Sequence, residues 1–364
     1  MADKNIRIGF RADANEFIAS GHIMRCMAIA LQCKKLGAQC IFILAEDKQT
    51  DRLIKNGFAI KVLNSNWKNL DEEIDKIKVL ISDEELDFLV VDSYQASADY
   101  MKILNELVPV LYIDDVAAAI YDITAVLHYG SGSDYARYIS AYLEMHNTDV
   151  LAGSKYIPLR EEFMQEASGN ADNAAADNVY ENAQREKCIM ITTGATDPFD
   201  ITRKLLDILV KDSSLDEYSF EVIVGAMNRY LDEIDSMAVE FNRIHVHRNV
   251  QNMSYYMRNC MAAVSAGGTT LFELCACGTP TVCFSFADNQ KGGTTDLDNL
   301  GIMQYVGDAR EINVVPLIER AVKNLLENDD IWNKYSRKMK MLVDGRGAAR
   351  IAAYIISKAA DSCS

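Results

Sequence analysis

The stretch 88–113, FLVVDSYQASADYMKILNELVPVLYI, decides the fold class of this chain of 364 residues. It opens with an apolar run, Phe88–Val91, and closes with a second one, Val110–Ile113. Neither run alternates apolar with polar residues, which is typical of strands that are buried on both faces. The segment between them, Ser97–Leu107, has the pattern of an amphipathic helix. Strand, helix and strand in this order predict a βαβ unit and therefore a parallel sheet.

The same alternation of strands and helices continues along the chain, with one interruption. Residues 166–187, EASGNADNAAADNVYENAQREK, are rich in Ala and Asn and cannot bury a core, so we interpret them as an insert or linker. The alternation restarts with a predicted strand at Cys188–Thr192. The sequence therefore predicts an α/β protein with two Rossmann-like domains, residues 1–165 and residues 188–364 with their C-terminal helices, and a cleft between them.

The composition argues against several classes of function. Lys and Arg total 37 and Asp and Glu total 53, so the net charge is −16. A nucleic-acid binder or an anionic-membrane binder needs clustered cations, which this balance does not favour. No apolar run reaches the length of a membrane span, and we see no signal-peptide pattern. The nine cysteines form no CxxC pair, which favours reduced thiols and a cytoplasmic location.

The segment 11–22, RADANEFIASGH, is the first candidate site. It follows a predicted strand, Ile6–Phe10, and leads into a predicted helix, His22–Lys35. Open α/β sheets bind ligands at this end of their strands. Gly21 is expected to allow a tight turn before His22. The helix dipole favours a neutral imidazole, which is the form that a general base needs. The alternative is a histidine that only forms local hydrogen bonds.

The segment Ser265–Glu273, SAGGTTLFE, is the second candidate site. It follows a predicted strand, Ala262–Val264, and its two glycines make a turn before Thr269, which can begin a helix. Free backbone N–H groups at such a helix end can hold a phosphate. Glu273, one turn further along, could reach ribose hydroxyls. A plain glycine-rich turn is the alternative interpretation.

Thr192–Asp197, TTGATD, lies at another strand end. Gly194 and Thr196 could form a second anion site there. From the local sequence alone, an ordinary helix cap by Thr196 or Asp197 explains the pattern better.

Three further patterns carry weaker signals. Ala287–Gln290, ADNQ, would place Asn289 and Gln290 at a strand end, or would form a simple turn. The pair Asp114-Asp115 could contact a sugar or cap a helix. The DLD pattern at 296–298 matches a metal motif of some sugar-nucleotide enzymes, but its polar surroundings argue against a metal site.

Six blocks of sequence together resemble a known family. They are RADANEFIASGHIMR at 11–25, DSY at 92–94, YIPLREEF at 156–163, GATD at 194–197, GGTTLFELCACGTPTVCFSFADNQ at 267–290 and LVDGRGAAR at 342–350. These blocks are similar to motifs of the PseG-type UDP-sugar hydrolases of pseudaminic acid biosynthesis and of the related SpsG proteins of spore-coat polysaccharide synthesis. The first and fifth blocks together are quite specific, whereas GATD alone is not.

The resemblance implies a glycosyltransferase-B fold and a role for each block. His22 would activate the water that attacks the anomeric carbon of UDP-2,4-diacetamido-2,4,6-trideoxy-β-L-altropyranose, and UDP would leave. The only implied partner is this UDP-sugar, with no cofactor and no metal, and the oligomeric state is left open, a monomer included. The implied sugar-binding positions are Arg11, Asp13, Gly21, Tyr94 and Arg160. The implied UDP-binding positions are Gly194, Thr196, Val250, Gly267, Gly268, Thr269, Thr270, Glu273, Asn289 and Gln290.

The chain departs from the family pattern at a few points, which leaves alternatives open. Ala19 and Ala195 replace glycines, and 128–130, HYG, replaces an Asn-rich turn, so the exact sugar is not fixed. The block 342–350 lies far from any assigned site, and one interpretation is that the C-terminal helix crosses back to the first domain there. A glycosyltransferase with a UDP-sugar donor is the main alternative to a hydrolase. A binding protein without turnover, or an epimerase, is the third.

Overall fold

The computed structural model describes residues 5–15, 21–114, 119–130, 132–143, 145, 147–164, 185–194, 196–225 and 227–361. Asp115, the two glycine replacements Ala19 and Ala195, and residues 166–184 of the predicted insert lie outside the described residues. Contacts divide the chain into a first unit, residues 1–161 with 345–364, and a second unit, residues 162–344. Each unit is built on a parallel sheet, and this confirms the predicted fold class of two Rossmann-like domains.

The described residues of the first unit form a sheet of seven parallel strands. The strands are β1 Arg7–Ala12, β2 Gln39–Leu44, β3 Ala59–Val62, β4 Phe88–Asp92, β5 Val110–Ile113, β6 Ala125–His128 and β7 Asp149–Ala152. The helices are α1 Gly21–Lys35, α2 Asp51–Lys55, α3 Ile74–Asp83, α4 Ala98–Asn105 and α5 Gly132–Tyr142, together with the last helix of the chain. The strands lie in the order β3-β2-β1-β4-β5-β6-β7.

The middle strands of this sheet are buried on both faces, as their apolar sequences predict. Every residue of β4 and β5 is buried. Residues from both strands pack with Ile77 of α3 and Leu104 of α4 in one apolar cluster. The βαβ unit at 88–113 is therefore present as expected.

In the second unit, the part of the chain that the structure describes forms a sheet of six parallel strands. The strands are β8 Glu186–Thr192, β9 Ser219–Val224, β10 Ile244–Arg248, β11 Cys260–Ala266, β12 Thr281–Ser285 and β13 Gln304–Asp308. The helices are α6 Ile201–Leu209, α7 Leu231–Glu240, α8 Met253–Asn259, α9 Thr270–Cys277, α10 Asp288–Asn299, α11 Val315–Glu327 and α12 Asp329–Leu342. The strands lie in the order β10-β9-β8-β11-β12-β13. Glu186 and Lys187, the last two residues of the predicted insert, already belong to β8.

The final helix, α13 Gly347–Asp361, differs from the predicted domain boundaries, because it groups with the first unit and not with residues 188–344. It packs against α1 and against a short turn of 3-10 helix, Ser154–Tyr156. A Cβ at Gly347 would lie 2.1 Å from the carbonyl oxygen of Ile157, so only glycine lets the helix begin so close to that backbone. The block 342–350 therefore serves to seat the last helix on the first unit.

The two sheets have the same order of strands. In each, the first strand lies between the second and the fourth, so the order changes direction next to the first strand. Ligands of open α/β sheets bind at this switch point, beyond the carboxyl ends of the two strands. The switch points here are the ends of β1 and β4 in the first unit and of β8 and β11 in the second. Among the described residues, no helix is both long enough and apolar enough to cross a membrane.

Candidate functional site

The switch point of the first unit brings His22 next to Asp92. His22 is the second residue of α1, and Asp92 is the last residue of β4, where it pairs in register with Ala12 at the end of β1. The Nδ1 atom of His22 lies 2.5 Å from Oδ1 of Asp92, and both side chains are buried. A carboxylate only accepts hydrogen bonds, so Nδ1 carries the proton and Nε2 is the basic nitrogen of the neutral ring. In the described part of the chain, Nε2 has no hydrogen-bond partner.

Arg25 holds the same carboxylate from one turn further along α1. Its Nε and Nη2 atoms lie 2.5 Å from Oδ2 and Oδ1 of Asp92, which is a bidentate pair. Its Nη1 donates to the hydroxyl of Tyr129 at 2.5 Å. Burial alone would raise the pKa of Asp92, but Arg25 and His22 hold this pKa well below its ordinary value. Asp92 is therefore a carboxylate at neutral pH.

Tyr94 forms a wall beside the imidazole. Its ring meets the His22 ring edge-on, with the centroids 4.7 Å apart and the planes at 74°. The Tyr94 side chain is 49% exposed, so it can contact both His22 and a molecule bound from solvent. Of the predicted sugar-binding residues, Tyr94 is the one whose ring lies against His22.

Arg11 and Asp13 belong to a buried network behind the first switch point. Arg11 donates to both oxygens of Glu73, at 2.6 and 2.9 Å, and to Asp13 at 2.6 Å. Asp13 also accepts from the backbone N–H of Ala45 at 2.7 Å. Burial opposes the charge of Arg11, but Asp13 and Glu73 raise its pKa above the ordinary value. Since Arg11 has no exposed surface, the predicted Arg11–sugar contact does not fit this conformation, and the residue fixes the end of β1 instead.

Gly21 and Arg160 are the two remaining predicted sugar-binding residues. Gly21 is the first residue of α1, and its φ angle is not in the positive range that glycine favours. The residues before it, 16–20, lie outside the described residues, so the predicted tight turn before His22 stays a prediction. A Cβ at Gly21 would meet no atom within 4 Å, so the glycine leaves open space beside the histidine. Arg160 is half-buried and lies just before the end of the first unit's main segment at Glu161.

The switch point of the second unit has a helix start without a side-chain cap. Thr269 is the capping residue of α9, and within the described residues its side chain accepts no hydrogen bond from the start of the helix. The backbone N–H groups of Gly268 and Thr269, both exposed, make no hydrogen bond within the described ranges. Gly268 has a φ of 143°, and a Cβ at Gly267 would lie 2.8 Å from Cβ of Gln290. Free N–H groups at the positive end of a helix are an anion-binding site.

The neighbouring helix start, at α6, is already occupied. The carboxylate of Asp197 accepts hydrogen bonds from the N–H groups of Ile201 and Thr202, at 2.8 and 2.9 Å. A second negative charge at this helix end would be repelled, so the geometry favours the helix-cap interpretation of TTGATD. Gly194 and Thr196 are exposed in the loop before α6, and Gly194 has a φ of 81°. Their contact with UDP stays a prediction.

The remaining predicted UDP contacts surround the ends of β10, β11 and β12. ADNQ is not a simple turn, because Asp288 begins α10 and the side chain of Gln290 accepts from the N–H of Phe286 at 2.9 Å. Asn289 is exposed in the first turn of α10. Val250 follows β10 and Glu273 lies in the first turn of α9, and both are half-buried. For all four residues, UDP binding stays a prediction.

Sequence reasoning missed the two residues that hold His22. Asp92 and Arg25 both lie in quoted blocks, but neither was assigned a role. Residues three apart on a helix lie on one face, so the spacing of Arg25 from His22 was a usable signal. An acid that ends an apolar strand was a signal for Asp92. The DLD pattern has another use, because Asp298 accepts the N–H of Tyr305 at 3.1 Å.

Curated proteins with similar sequences include two members of the group that the six sequence blocks resemble. No family model matches the chain. The UDP-2,4-diacetamido-2,4,6-trideoxy-β-L-altropyranose hydrolase of Campylobacter jejuni is 23% identical over 300 residues, which is 81% of this chain and 97% of that protein. The spore coat polysaccharide biosynthesis protein SpsG of Bacillus subtilis is 19% identical over 353 residues, 96% of this chain and 98% of that protein. The predicted resemblance to these proteins is confirmed.

A third relative and several solved structures extend this similarity. An uncharacterized protein of Methanocaldococcus jannaschii is 24% identical over 290 residues, 76% of this chain, but the chain spans only 55% of that protein's length. MurG of Acinetobacter baumannii has a TM-score of 0.67 at 13% identity, covering 97% of this chain and 99% of that chain. A UDP-glucosyltransferase of Polygonum tinctorium has a TM-score of 0.67 at 10% identity, covering 98% and 99%. At these identities the structures establish the fold alone.

Proposed function

We propose that this chain hydrolyses a UDP-linked amino-deoxysugar, UDP-2,4-diacetamido-2,4,6-trideoxy-β-L-altropyranose, to UDP and the free sugar. The observation that carries the proposal is the buried pair of His22 and Asp92 at the first switch point. It is supported by the similarity to the Campylobacter jejuni hydrolase over 81% of the chain. A cytoplasmic location for this reaction stays a prediction.

In the proposed reaction, His22 acts as a general base. A water molecule donates its proton to Nε2 while its oxygen attacks the anomeric carbon of the sugar. The bond from that carbon to the diphosphate oxygen breaks, and its electron pair leaves with UDP. The imidazolium then returns the proton to solvent. Asp92 keeps Nδ1 protonated, aims Nε2 and stabilises the imidazolium as it forms. A base of this kind contributes about 10²–10⁴-fold to a rate.

The second unit would hold the diphosphate at the bare start of α9. The N-terminus of a helix carries roughly half a positive charge, and the N–H groups of Gly268 and Thr269 are free to donate. Donors at fixed positions stabilise the charge that develops on a leaving diphosphate. Such a site needs no basic surface, which explains how a chain of net charge −16 can bind an anion.

The test is product detection with a panel of UDP-, CMP- and GDP-sugars, followed by hydrolysis in oxygen-18 water. We expect turnover of UDP-sugars and the label in the free sugar. We expect His22→Ala to lose about 10²–10⁴-fold in kcat while it still binds UDP. Label in UDP would exclude attack at carbon, and a His22→Ala protein with most of its activity would exclude His22 as the base.

A glycosyltransferase that uses a UDP-sugar donor is the second candidate. The fold likeness to a UDP-glucosyltransferase over 98% of the chain, at a TM-score of 0.67, favours it. The His22–Asp92 pair would then deprotonate an acceptor hydroxyl in place of water. UDP release that depends strictly on an added acceptor would support the transferase, whereas UDP release in buffer alone supports the hydrolase.

A further inference from the structure

The carboxylate that orients His22 would, if it acted alone, interfere with a base. An opposite charge within about 4–6 Å favours the charged form of a group and shifts its pKa by about 1–3 units. For a histidine with an ordinary pKa near 6.5, such a shift leaves the ring protonated at neutral pH. An imidazolium has no free lone pair and cannot accept a proton from water. At a contact of 2.5 Å between His22 and Asp92, a nearby positive charge is therefore needed to offset the effect of the carboxylate on the imidazole.

Arg25 lies where it can supply this positive charge. It occupies both carboxylate oxygens of Asp92 at 2.5 Å, and its Nη2 lies 3.2 Å from Nδ1 of His22. Since Nδ1 donates to Asp92, this last approach places a positive charge beside an N–H group. Exposed fractions are 6% for His22, 7% for Arg25 and 1% for Asp92, so solvent screens these interactions only weakly.

We propose that Arg25 balances the charge of Asp92, so that the carboxylate orients His22 without holding it as an imidazolium. Arg25 is then a positioning residue that acts through Asp92 and His22. This inference rests on the proposed role of His22 as the base.

The other titratable groups around His22 do not replace Arg25. Burial raises the pKa of the Cys26 thiol well above its ordinary value, so Cys26, which donates to Asp92 at 3.6 Å, stays neutral. Tyr129 contacts Arg25 through its hydroxyl. Burial raises the pKa of Tyr112, which interacts with Asp92 from β5, so this phenol also stays neutral. The charged and titratable groups that the described residues bring to this place are Asp92 from β4, Tyr94 after β4, Tyr112 from β5, Arg25 and Cys26 from α1 and Tyr129 after β6. Arg25 is the one cation among these groups.

The test is an NMR titration of the histidine ring protons in the full chain without substrate. The chain has five histidines, and the His22 signal is assigned as the one that disappears in His22→Asn. We expect Arg25→Gln to raise the pKa of His22 by about 1–3 units, because Asp92 then acts on the ring alone. We expect Arg25→Gln combined with Asp92→Asn to bring this pKa back towards the value of the unchanged chain.

Arg25→Lys is the second variant, in case the buried carboxylate does not tolerate Gln. Lysine keeps the charge but lacks the planar fork that reaches both oxygens, so a smaller rise in the same direction is expected. Tyr129→Phe is the matched control, since it removes a contact of Arg25 without removing a charge, and it should leave the pKa of His22 within a few tenths of a unit. Circular dichroism checks that each variant is folded.

The outcomes separate this inference from the proposed function. An unchanged or lowered pKa of His22 in folded Arg25→Gln, or in Arg25→Lys where Gln does not fold, overturns the role of Arg25. A raised pKa in a chain that hydrolyses no UDP-sugar leaves charge balance intact and rejects the hydrolase. Where the chain is active, the acidic limb of the kcat/KM profile should move to higher pH in Arg25→Gln by the same shift.

Discussion

The two switch points occupy equivalent places in sheets of the same strand order, but they are built from different chemistry. The first is a set of ionisable side chains, His22, Arg25 and Asp92, which are buried and paired with one another. The second is formed by glycine and threonine at a helix start, with backbone N–H groups that have no partner in the described ranges. Under the proposed function, one position in the topology would serve proton transfer in one unit and anion binding in the other.

The difference follows from the cost of burying charge. An ion taken out of water is stabilised only by a close partner of opposite sign, so a buried base needs a fixed set of neighbours. A helix end carries only partial charge and can stay exposed without a counter-ion. We therefore expect substitutions at the first switch point to affect both activity and stability. Substitutions at the second should act mainly by changing the shape of the glycine turn before α9.

The largest effect is expected for Asp92→Asn. The amide cannot hold His22 in the tautomer that leaves Nε2 basic, and a loss of about 10²–10⁴-fold in kcat is expected. The variant also leaves Arg25 buried without its carboxylate, which costs about 3–5 kcal/mol in the free energy of unfolding. Steady-state kinetics and urea unfolding measure the two effects.

Asp207→Asn is the control for Asp92→Asn. It removes an exposed pair with Lys211, in which the two atoms lie 2.5 Å apart, and an exposed pair one helical turn apart contributes only about 0.3–0.5 kcal/mol. Equal losses of stability in the two variants would contradict the description of the first switch point as a buried, mutually dependent set.

Local patterns in the sequence predicted the elements better than the contacts between them. The βαβ unit at 88–113 and the position of His22 at a helix start both follow from signals within a few residues of each position. Asp92 is 70 residues from His22, and the two meet because β4 lies beside β1. Strand order of this kind is set by the packing of the whole sheet, so no local pattern specifies it.

The C-terminal helix illustrates the same limit over a longer separation. The sequence predicts a helix near 348–360 and groups it with the second domain by its place in the chain, although one interpretation of the block 342–350 is that this helix crosses back to the first domain. Its partner in the structure, the backbone at Ile157, is separated from Gly347 by almost 200 residues of chain. The edge strand β7 and helix α5 were not predicted, since Asp149 and Val150 of β7 are not buried and the apolar signal there is short.

The second prediction compares the glycines of the two switch points. Gly267→Ala places a Cβ 2.8 Å from Cβ of Gln290 and 2.9 Å from Cγ2 of Thr294, so the turn between β11 and α9 must move away from α10. We expect a loss of about 1–3 kcal/mol in stability and UDP binding weaker by about tenfold. Gly21→Ala meets no atom within 4 Å and should leave stability unchanged. Thermal unfolding and calorimetric titration with UDP test both variants, and a Gly267→Ala protein as stable as Gly21→Ala would reject the close packing at α9.

The smallest effect is expected from added salt. Its size distinguishes binding at a helix end from binding by a cluster of surface cations. A site built from a helix end loses only the screened part of the dipole interaction, about 0.3–1 kcal/mol, which corresponds to at most about a fivefold weaker Kd for UDP. The measurement is the UDP affinity between about 0.01 and 0.1 M salt, over which the Debye length falls from roughly 30 to 10 Å. In the first unit, His22, Arg25 and Asp92 are shielded from solvent, so kcat should be constant over the same range. A UDP affinity that fell by several hundredfold would require a cluster of surface cations, because free backbone N–H groups carry too little charge to produce such a dependence.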